Sequence, residues 1–204
     1  MFAELAVARF LEALSSPHPT PGGGTASAIA GAMGTSLLVM VTGLAKSKNN
    51  TDEEKAALAR ARECLTPITA HLARLADADA QAFDRVMEAY RLPKTTDDEK
   101  AARTRAIQGA LQGATTVPLD TLRACADALA QARVVAEHGN RSAASDAGVA
   151  IGLLRAAADG AQANVQANLD SIKDETFKAG TGAEAARLLA AATADAHAAM
   201  QLLT

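Results

Sequence analysis

The hydrophobic positions of this chain fall into helical patterns separated by short polar or proline-containing breaks. Leu5, Val7, Phe10, Leu11 and Leu14 lie at the spacing of one helix face, so the pattern predicts a helix over Phe2 to Leu14. Ser15-Ser16-Pro17-His18-Pro19 stops it, because proline cannot continue a helix. From Pro19 to Ala45 no residue is charged. The turn Pro19-Thr20-Pro21-Gly22-Gly23-Gly24 opens that stretch, and a predicted helix follows from about Gly23 to Lys46. An apolar run of about 20 residues is long enough to span a membrane. This one, however, holds Ala, Gly, Ser and Thr as much as Leu, Val, Ile and Met, so its transfer energy is weak. The expected reading is a helix apolar all round because other helices surround it in a soluble protein, with no membrane partner. Small residues recur four apart in two rows, Ser27, Gly31, Thr35 and Gly24, Ala28, Ala32, Ser36. Such rows let neighbouring backbones approach closely.

The remainder of the chain is helical by the same test. Thr51-Asp52-Glu53-Glu54 carries a capping-box signature, with Thr51 as N-cap and Glu54 three residues on. A long helix runs from there to about Tyr90, with a kink expected near Pro67, and Leu92-Pro93-Lys94 breaks it. Thr96-Asp97-Asp98-Glu99 repeats the capping pattern and starts another long helix, which Pro118 bends or restarts. It ends at His138-Gly139-Asn140, where Gly139 is the expected C-cap. Two further helices are predicted, over about Ser142 to Ile172 and Gly182 to Leu202. The expectation is an all-α fold, a bundle of about six antiparallel helices forming one domain over residues 1–204.

Composition fits that picture. Hydrophobic residues make up 49% of the 204 residues but aromatics only 2%. The core must then be Ala, Leu, Val and Ile, which suits closely packed helices better than a sheet. A net charge of −3 gives no electrostatic case for a nucleic-acid partner. No segment has the form of a secretory signal. Cys64 and Cys125 each stand alone in a helical pattern, as buried packing thiols of a reducing compartment do. A cytoplasmic location is the expectation. His18, His71, His138 and His197 have no partner at metal-ligand spacing, so a metal-dependent hydrolase is rejected and no metal is expected.

Four places carry candidate chemistry. Gly22-Gly23-Gly24 opens a helix, where free N–H groups and the helix dipole suit an anion; the same glycines also serve tight entry and close packing. No Gly-Lys-Ser/Thr follows, so a nucleotide phosphate loop is not indicated. In Asp77-Ala78-Asp79-Ala80-Gln81-Ala82-Phe83, Asp79 and Phe83 share a helix face. An acid beside an aromatic suits a flat, cationic substrate, and a solvated acidic turn is the bland alternative. In Asn140-Arg141-Ser142-Ala143-Ala144-Ser145-Asp146, Ser142 and Ser145 can act as caps. Asp146 heads an almost charge-free run, where a buried acid costs several kcal/mol unless paired. Asn164 and Asn168 stand four apart in an Ala-rich helix, where Asn is disfavoured. Such a stripe means a hydrogen-bond network or a ligand edge.

Together these segments resemble the cyclodeaminase/cyclohydrolase family, which comprises the cyclodeaminase part of formiminotransferase-cyclodeaminase and stand-alone bacterial methenyltetrahydrofolate cyclohydrolases. The resemblance rests on Pro19-Thr20-Pro21-Gly22-Gly23-Gly24, Asp79-Ala80-Gln81-Ala82-Phe83, Ala89-Tyr90-Arg91-Leu92-Pro93-Lys94, Val117-Pro118-Leu119, and Gly139-Asn140. It continues through Ser145-Asp146-Ala147-Gly148-Val149-Ala150, Asn164-Val165 and Asn168-Leu169. The match covers nearly the whole chain in order; each motif is weak, while the ordered set is specific. Leu92-Pro93-Lys94 with Thr96-Asp97-Asp98-Glu99-Lys100 is especially similar to the stand-alone cyclohydrolases. One departure is Lys46-Ser47-Lys48-Asn49-Asn50, where family members often carry a lysine-rich stretch ending in Tyr.

The resemblance implies an all-helical homodimer with a tetrahydrofolate derivative bound as substrate in a cleft at or near the subunit interface. A cyclohydrolase adds water to the amidinium carbon of 5,10-methenyltetrahydrofolate, and the ring opens to 10-formyltetrahydrofolate. A cyclodeaminase closes 5-formimino-tetrahydrofolate to the same methenyl compound and expels ammonia. Both pass through a tetrahedral carbon between nitrogens, so both need proton shuttling and neither needs a metal. On this reading Asp79 or Asp146 activates water, relays protons or stabilises the cation. Lys94 exchanges a proton or, kept charged, binds a carboxylate or the folate carbonyl. Gly22, Gly23 and Gly24 hold the glutamate tail or a pterin oxygen. Phe83, Ser145, Asn164 and Asn168 complete the substrate contacts. The rival from another class is a non-catalytic helical scaffold, which has no reason to gather Asp79, Lys94, Asp146 and Asn164 around one cavity.

Overall fold

A computed structural model describes residues 1–44 and 50–204. The described residues form six α-helices, α1 (Val7–Leu14), α2 (Gly23–Gly43), α3 (Asp52–Arg91), α4 (Asp97–His138), α5 (Ala144–Leu169) and α6 (Glu175–Gln201), with 3-10 turns at Phe2–Glu4 and Arg141–Ala143. The all-helical class and the count match expectation. Both capping boxes are formed: Thr51 and Thr96 accept from the backbone N–H of Glu54 and Glu99, whose carboxylates return the bond. The segment Lys46 to Asn49, which carries most of the departure from the family pattern, lies outside the described residues.

α2 is the inner helix. Its first small row, Ser27, Gly31 and Thr35, is buried throughout, whereas the second begins buried at Gly24 and Ala28 and reaches the surface at Ser36. α2 is long and apolar enough to cross a membrane, yet it packs within the bundle against α3, α4 and α5. Glycine sets how closely it approaches them. A β-carbon on Gly34 would overlap the Ala150 carbonyl and the Leu154 side chain of α5. One on Gly31 would lie 3.0 Å from Cys125 Sγ on α4. The core around it is Leu38, Leu65, Leu72, Leu122, Leu129, Leu154 and Val165, with many alanines between.

Several boundaries differ from the sequence reading. The first helix is split, because Phe2 is held against α3: its N–H donates to Asp77 Oδ1 at 2.6 Å, and its ring meets Phe10 edge-on at 6.4 Å. Pro67 and Pro118 both lie inside continuous helices. Gly139 does cap α4, but with φ of −64° rather than the left-handed conformation. Glycine is needed there because a β-carbon would run into the Val135 carbonyl. Asn140, rather than Ser142 or Ser145, supplies the cap of the following turn. α6 begins two turns earlier than expected, where Asp174 accepts from the Phe177 N–H at 3.0 Å. Cys125 is buried as expected, and Cys64 is exposed, a correction that follows from its place on the outer face of α3.

Candidate functional site

A cavity of about 260 Å³ opens where the start of α2 meets the last third of α3, the first half of α4 and the second half of α5. Pro19, Thr20, Gly22, Gly23 and Gly24 form one wall. Phe83, Val86, Leu111 and Ala114 form an apolar wall, and Asp79, Asn164 and Asn168, with Thr20 of the first wall, supply the polar side chains.

Asp79 is the carboxylate of the cavity, and the chain is built around it. It projects from α3 onto the first turn of α2, where Thr25 Oγ1 donates to Asp79 Oδ2 at 3.0 Å. Thr25 is fully buried, so this hydroxyl has no water to turn to. Gly24 brings the helix start up against the carboxylate, since a β-carbon at Gly24 would overlap Asp79 Oδ1. The anion that the glycine turn meets within the subunit is therefore Asp79 itself, placed at the positive end of the helix dipole. Burial pushes the Asp79 carboxyl above the usual carboxylate range, while the Thr25 hydroxyl and backbone N–H draw it partly back. Such a group exchanges protons closer to neutrality than an ordinary aspartate.

The two asparagines are oriented by backbone carbonyls. Asn164 Nδ2 donates to Gly160 O at 2.8 Å, and Asn168 Nδ2 donates across to Ala114 O of α4 at 3.0 Å. Of the two alternatives at the level of sequence, the hydrogen-bond network is present, and the same two residues line the cavity.

The structure brings together Gly22, Gly23, Gly24, Asp79, Phe83, Asn164 and Asn168. It does not bring Lys94, Ser145 or Asp146 to this cavity. Asp146 is half-buried in the first turn of α5, where a negative charge complements the helix dipole. Eighteen residues separate it from Asn164 along one helix, a distance of about 27 Å. Ser145 beside it is exposed. Lys94 is exposed in the connection between α3 and α4. Arg91, which ends α3, is twelve residues or about 18 Å beyond Asp79. Thr25 is the residue that reading the sequence missed. Its only signal was a β-branched hydroxyl in the first turn of a glycine-opened helix, which is also what a packing residue looks like.

The all-helical bundle thus holds a cavity that joins a half-buried carboxyl, an apolar wall and fixed amides, a candidate small-molecule site. Residues 6–187 match the formiminotransferase-cyclodeaminase family model, and the chain belongs to that family. It is 45% identical over 168 residues to a methenyltetrahydrofolate cyclohydrolase of Methylorubrum extorquens, covering 82% of this chain and 81% of that protein. It is 33% identical over 180 residues to the formimidoyltransferase-cyclodeaminase of Gallus gallus, covering 88% of this chain but 33% of that longer protein. A crystal structure of formiminotetrahydrofolate cyclodeaminase from Thermotoga maritima superposes with a TM-score of 0.88 at 29% identity, over 100% of this chain and 98% of that one.

Proposed function

We propose that the protein is a methenyltetrahydrofolate cyclohydrolase, converting 5,10-methenyltetrahydrofolate and water to 10-formyltetrahydrofolate. The observation that carries this is the cavity around Asp79, read with the 45% identity to a cyclohydrolase that extends over most of both chains. The substrate is a flat cation whose charge sits on an amidinium carbon between two nitrogens. The Asp79 carboxylate stabilises that cation and takes a proton from the attacking water. Water adds to the carbon as Asp79 takes one of its protons, and the tetrahedral intermediate forms. Asp79, its carboxyl raised by burial, is suited to pass that proton on to N5; the C–N5 bond breaks, the remaining hydroxyl proton leaves to solvent as the formyl C=O forms, and one proton is released overall. Phe83 and Val86 cover the ring, and the glycine turn packs along it. No step needs a metal.

Lys94 enters this scheme from a second subunit. The α3–α4 hairpin runs past the end of α5. Gln108 of α4 bonds the Ser171 carbonyl and the Lys173 N–H there, at 3.2 and 2.7 Å. The eleven residues of α4 before Gln108 extend about 16 Å further. Arg103 braces this arm by donating to the Tyr90 carbonyl at 3.0 Å and covering the Tyr90 ring. Met87, Tyr90 and Leu92 on the arm are exposed, as an interface between copies requires. In a homodimer the arm of one subunit carries its Lys94 to the partner's cavity, where a cation binds the substrate's carboxylate or carbonyl. Cytoplasmic action fits a folate substrate.

The test is a parallel assay of the purified protein against 5,10-methenyltetrahydrofolate and 5-formimino-tetrahydrofolate. Faster turnover of the methenyl compound is expected. Ammonia release from the formimino compound as the dominant activity would move the protein to the cyclodeaminases, the second reading that its 33% identity to the Gallus gallus protein supports. Turnover of neither would leave a non-catalytic helical protein.

A further inference from the structure

Gly22, the N-cap of α2, has no side chain with which to accept the free N–H groups of the first helical turn. Asp79 does that from α3. It receives the N–H of Thr25, at the third helical position, where a capping side chain ordinarily bonds. The Thr25 hydroxyl goes to the same carboxylate, donating to Oδ2 at 3.0 Å. The other hydroxyls of α2 behave differently. Ser27, Thr35 and Ser36 each donate to the carbonyl four residues back, and Thr42 to the one three back. Thr25 turns instead to another helix. It is fully buried, so water does not compete for the hydroxyl, and its β-branch leaves it few rotamers. Gly24 completes the arrangement by removing the β-carbon that would keep the carboxylate out.

We propose that Thr25 is a positioning residue for the reaction, its N–H and hydroxyl together fixing Asp79 in the orientation from which it takes a proton from water. The role in catalysis rests on the folate reading above, but the grip concerns Thr25 and Asp79 alone and is measurable without a folate. Donors to the ionised form favour it, so the hydroxyl offsets part of the rise that burial gives the Asp79 carboxyl. No other charge does this among the described residues. α2 carries no charged residue, α4 presents Leu111 and Ala114 to the cavity, and α5 presents Asn164 and Asn168. On α3 itself, Asp77 is turned to the Phe2 N–H. Glu4, in the 3-10 turn that packs on α3, is exposed beside the Met1 amine at 4.0 Å.

The experiment follows the Asp79 carboxyl against pH by NMR of the carbon-labelled protein, its signal identified by loss in Asp79→Asn. It compares wild type with Thr25→Val, which keeps the shape and loses the donor, and Thr25→Ser, which keeps the donor. The same three proteins give pH profiles of kcat/KM for 5,10-methenyltetrahydrofolate, where the substrate's own titrations are common to all. Thr25→Val is expected to raise the carboxyl midpoint and the acid limb of the profile together by about one pH unit, an about tenfold loss of activity on that limb. Thr25→Ser is expected to return both most of the way. A packing role lowers activity equally at every pH and leaves both midpoints in place, and that result overturns the proposal. So does a carboxyl midpoint that moves while the acid limb of an active enzyme stays put. If Thr25→Val does not fold, Thr25→Ala, which removes the hydroxyl without adding bulk, is read in the same way. Loss of the folate reading is a separate result: wild type turns over neither folate while the carboxyl midpoint still answers to the hydroxyl, so the grip on Asp79 stands and the reaction assigned to it falls.

Discussion

Gly24 lacks a side chain where Asp79 occupies the space a β-carbon would need, and Gly23 beside it has room to spare, with the nearest group at 3.7 Å. The two glycines therefore answer differently to the same substitution. Gly24→Ala is expected to displace the Asp79 carboxylate and lower kcat/KM by at least about tenfold, near 1.4 kcal/mol of transition-state stabilisation. Gly23→Ala should remain within about twofold, a difference of about 0.4 kcal/mol; equal loss in both would mean that the turn, and not the approach to Asp79, is what matters. Asp79 also makes a prediction about pH. Its folded-state pKa is raised by burial, so the native protein holds the proton more tightly than the unfolded chain does. The stability this contributes is present in acid and is lost as pH rises through the folded value. Asp79→Asn removes that titration, so the variant's melting temperature should improve relative to wild type from pH 4 to pH 8. A constant difference across that range would show that Asp79 is not held in a desolvating site. The pairing of Asp79 with Phe83 was legible as an i, i+4 face. Its partnership with Thr25, which spans 54 positions of sequence, was not, because nothing local marks which hydroxyl a carboxylate will find across a bundle.

α2 shows what small residues do at the level of an element. Gly34 lies against the α5 backbone and Leu154, while Gly152 on the far side of α5 has nothing within 4 Å of a β-carbon. Gly34→Ala should cost about 1–3 kcal/mol by overpacking. Gly152→Ala should be neutral or add up to about 1 kcal/mol through helix propensity. Urea unfolding of the pair checks both signs. The same packing shields Cys125, whose thiol burial pushes up to about 12. A thiol reagent should label Cys64 alone in the native protein and both cysteines after unfolding. Most of these elements were readable because their signals are local: capping boxes at Thr51 and Thr96, the Leu92-Pro93 break, the uncharged run of α2. What sequence did not show was decided by tertiary contact. Phe2 leaves the first helix for Asp77 on α3. α6 reaches back to Glu175 through Gly180 and Gly182, held to α4 by Asp174 against Gln112 and by Glu184 against Arg123.

At the scale of the molecule, the sequence placed four site segments in order along the chain, and the fold gathers three of them into one cavity. Asp146 and Lys94 carry the same resemblance, but Asp146 lies at the far end of α5 and Lys94 beyond the end of α3, which no spacing rule reveals until the helix lengths are known. For Lys94 the proposed dimer supplies the missing proximity. Lys94→Met should cut turnover by at least about tenfold with the melting temperature nearly unchanged. Mixing it with Asp79→Asn should restore activity toward about a quarter of wild type, because half the dimers then hold one intact site. No recovery on mixing would place Lys94 outside the partner's site. The central claim is that the carbon attacked by water sits beside Asp79, and the most direct measurement is kcat/KM for 5,10-methenyltetrahydrofolate in Asp79→Asn compared with Asp146→Asn. The Asp79 variant is expected to lose about 10²–10⁴-fold, as removal of a general base does, while remaining folded. The Asp146 variant, which keeps its oxygen acceptor at a helix start, is expected to stay within about threefold. Wild-type turnover by Asp79→Asn, or the larger loss falling on Asp146→Asn, would contradict the account.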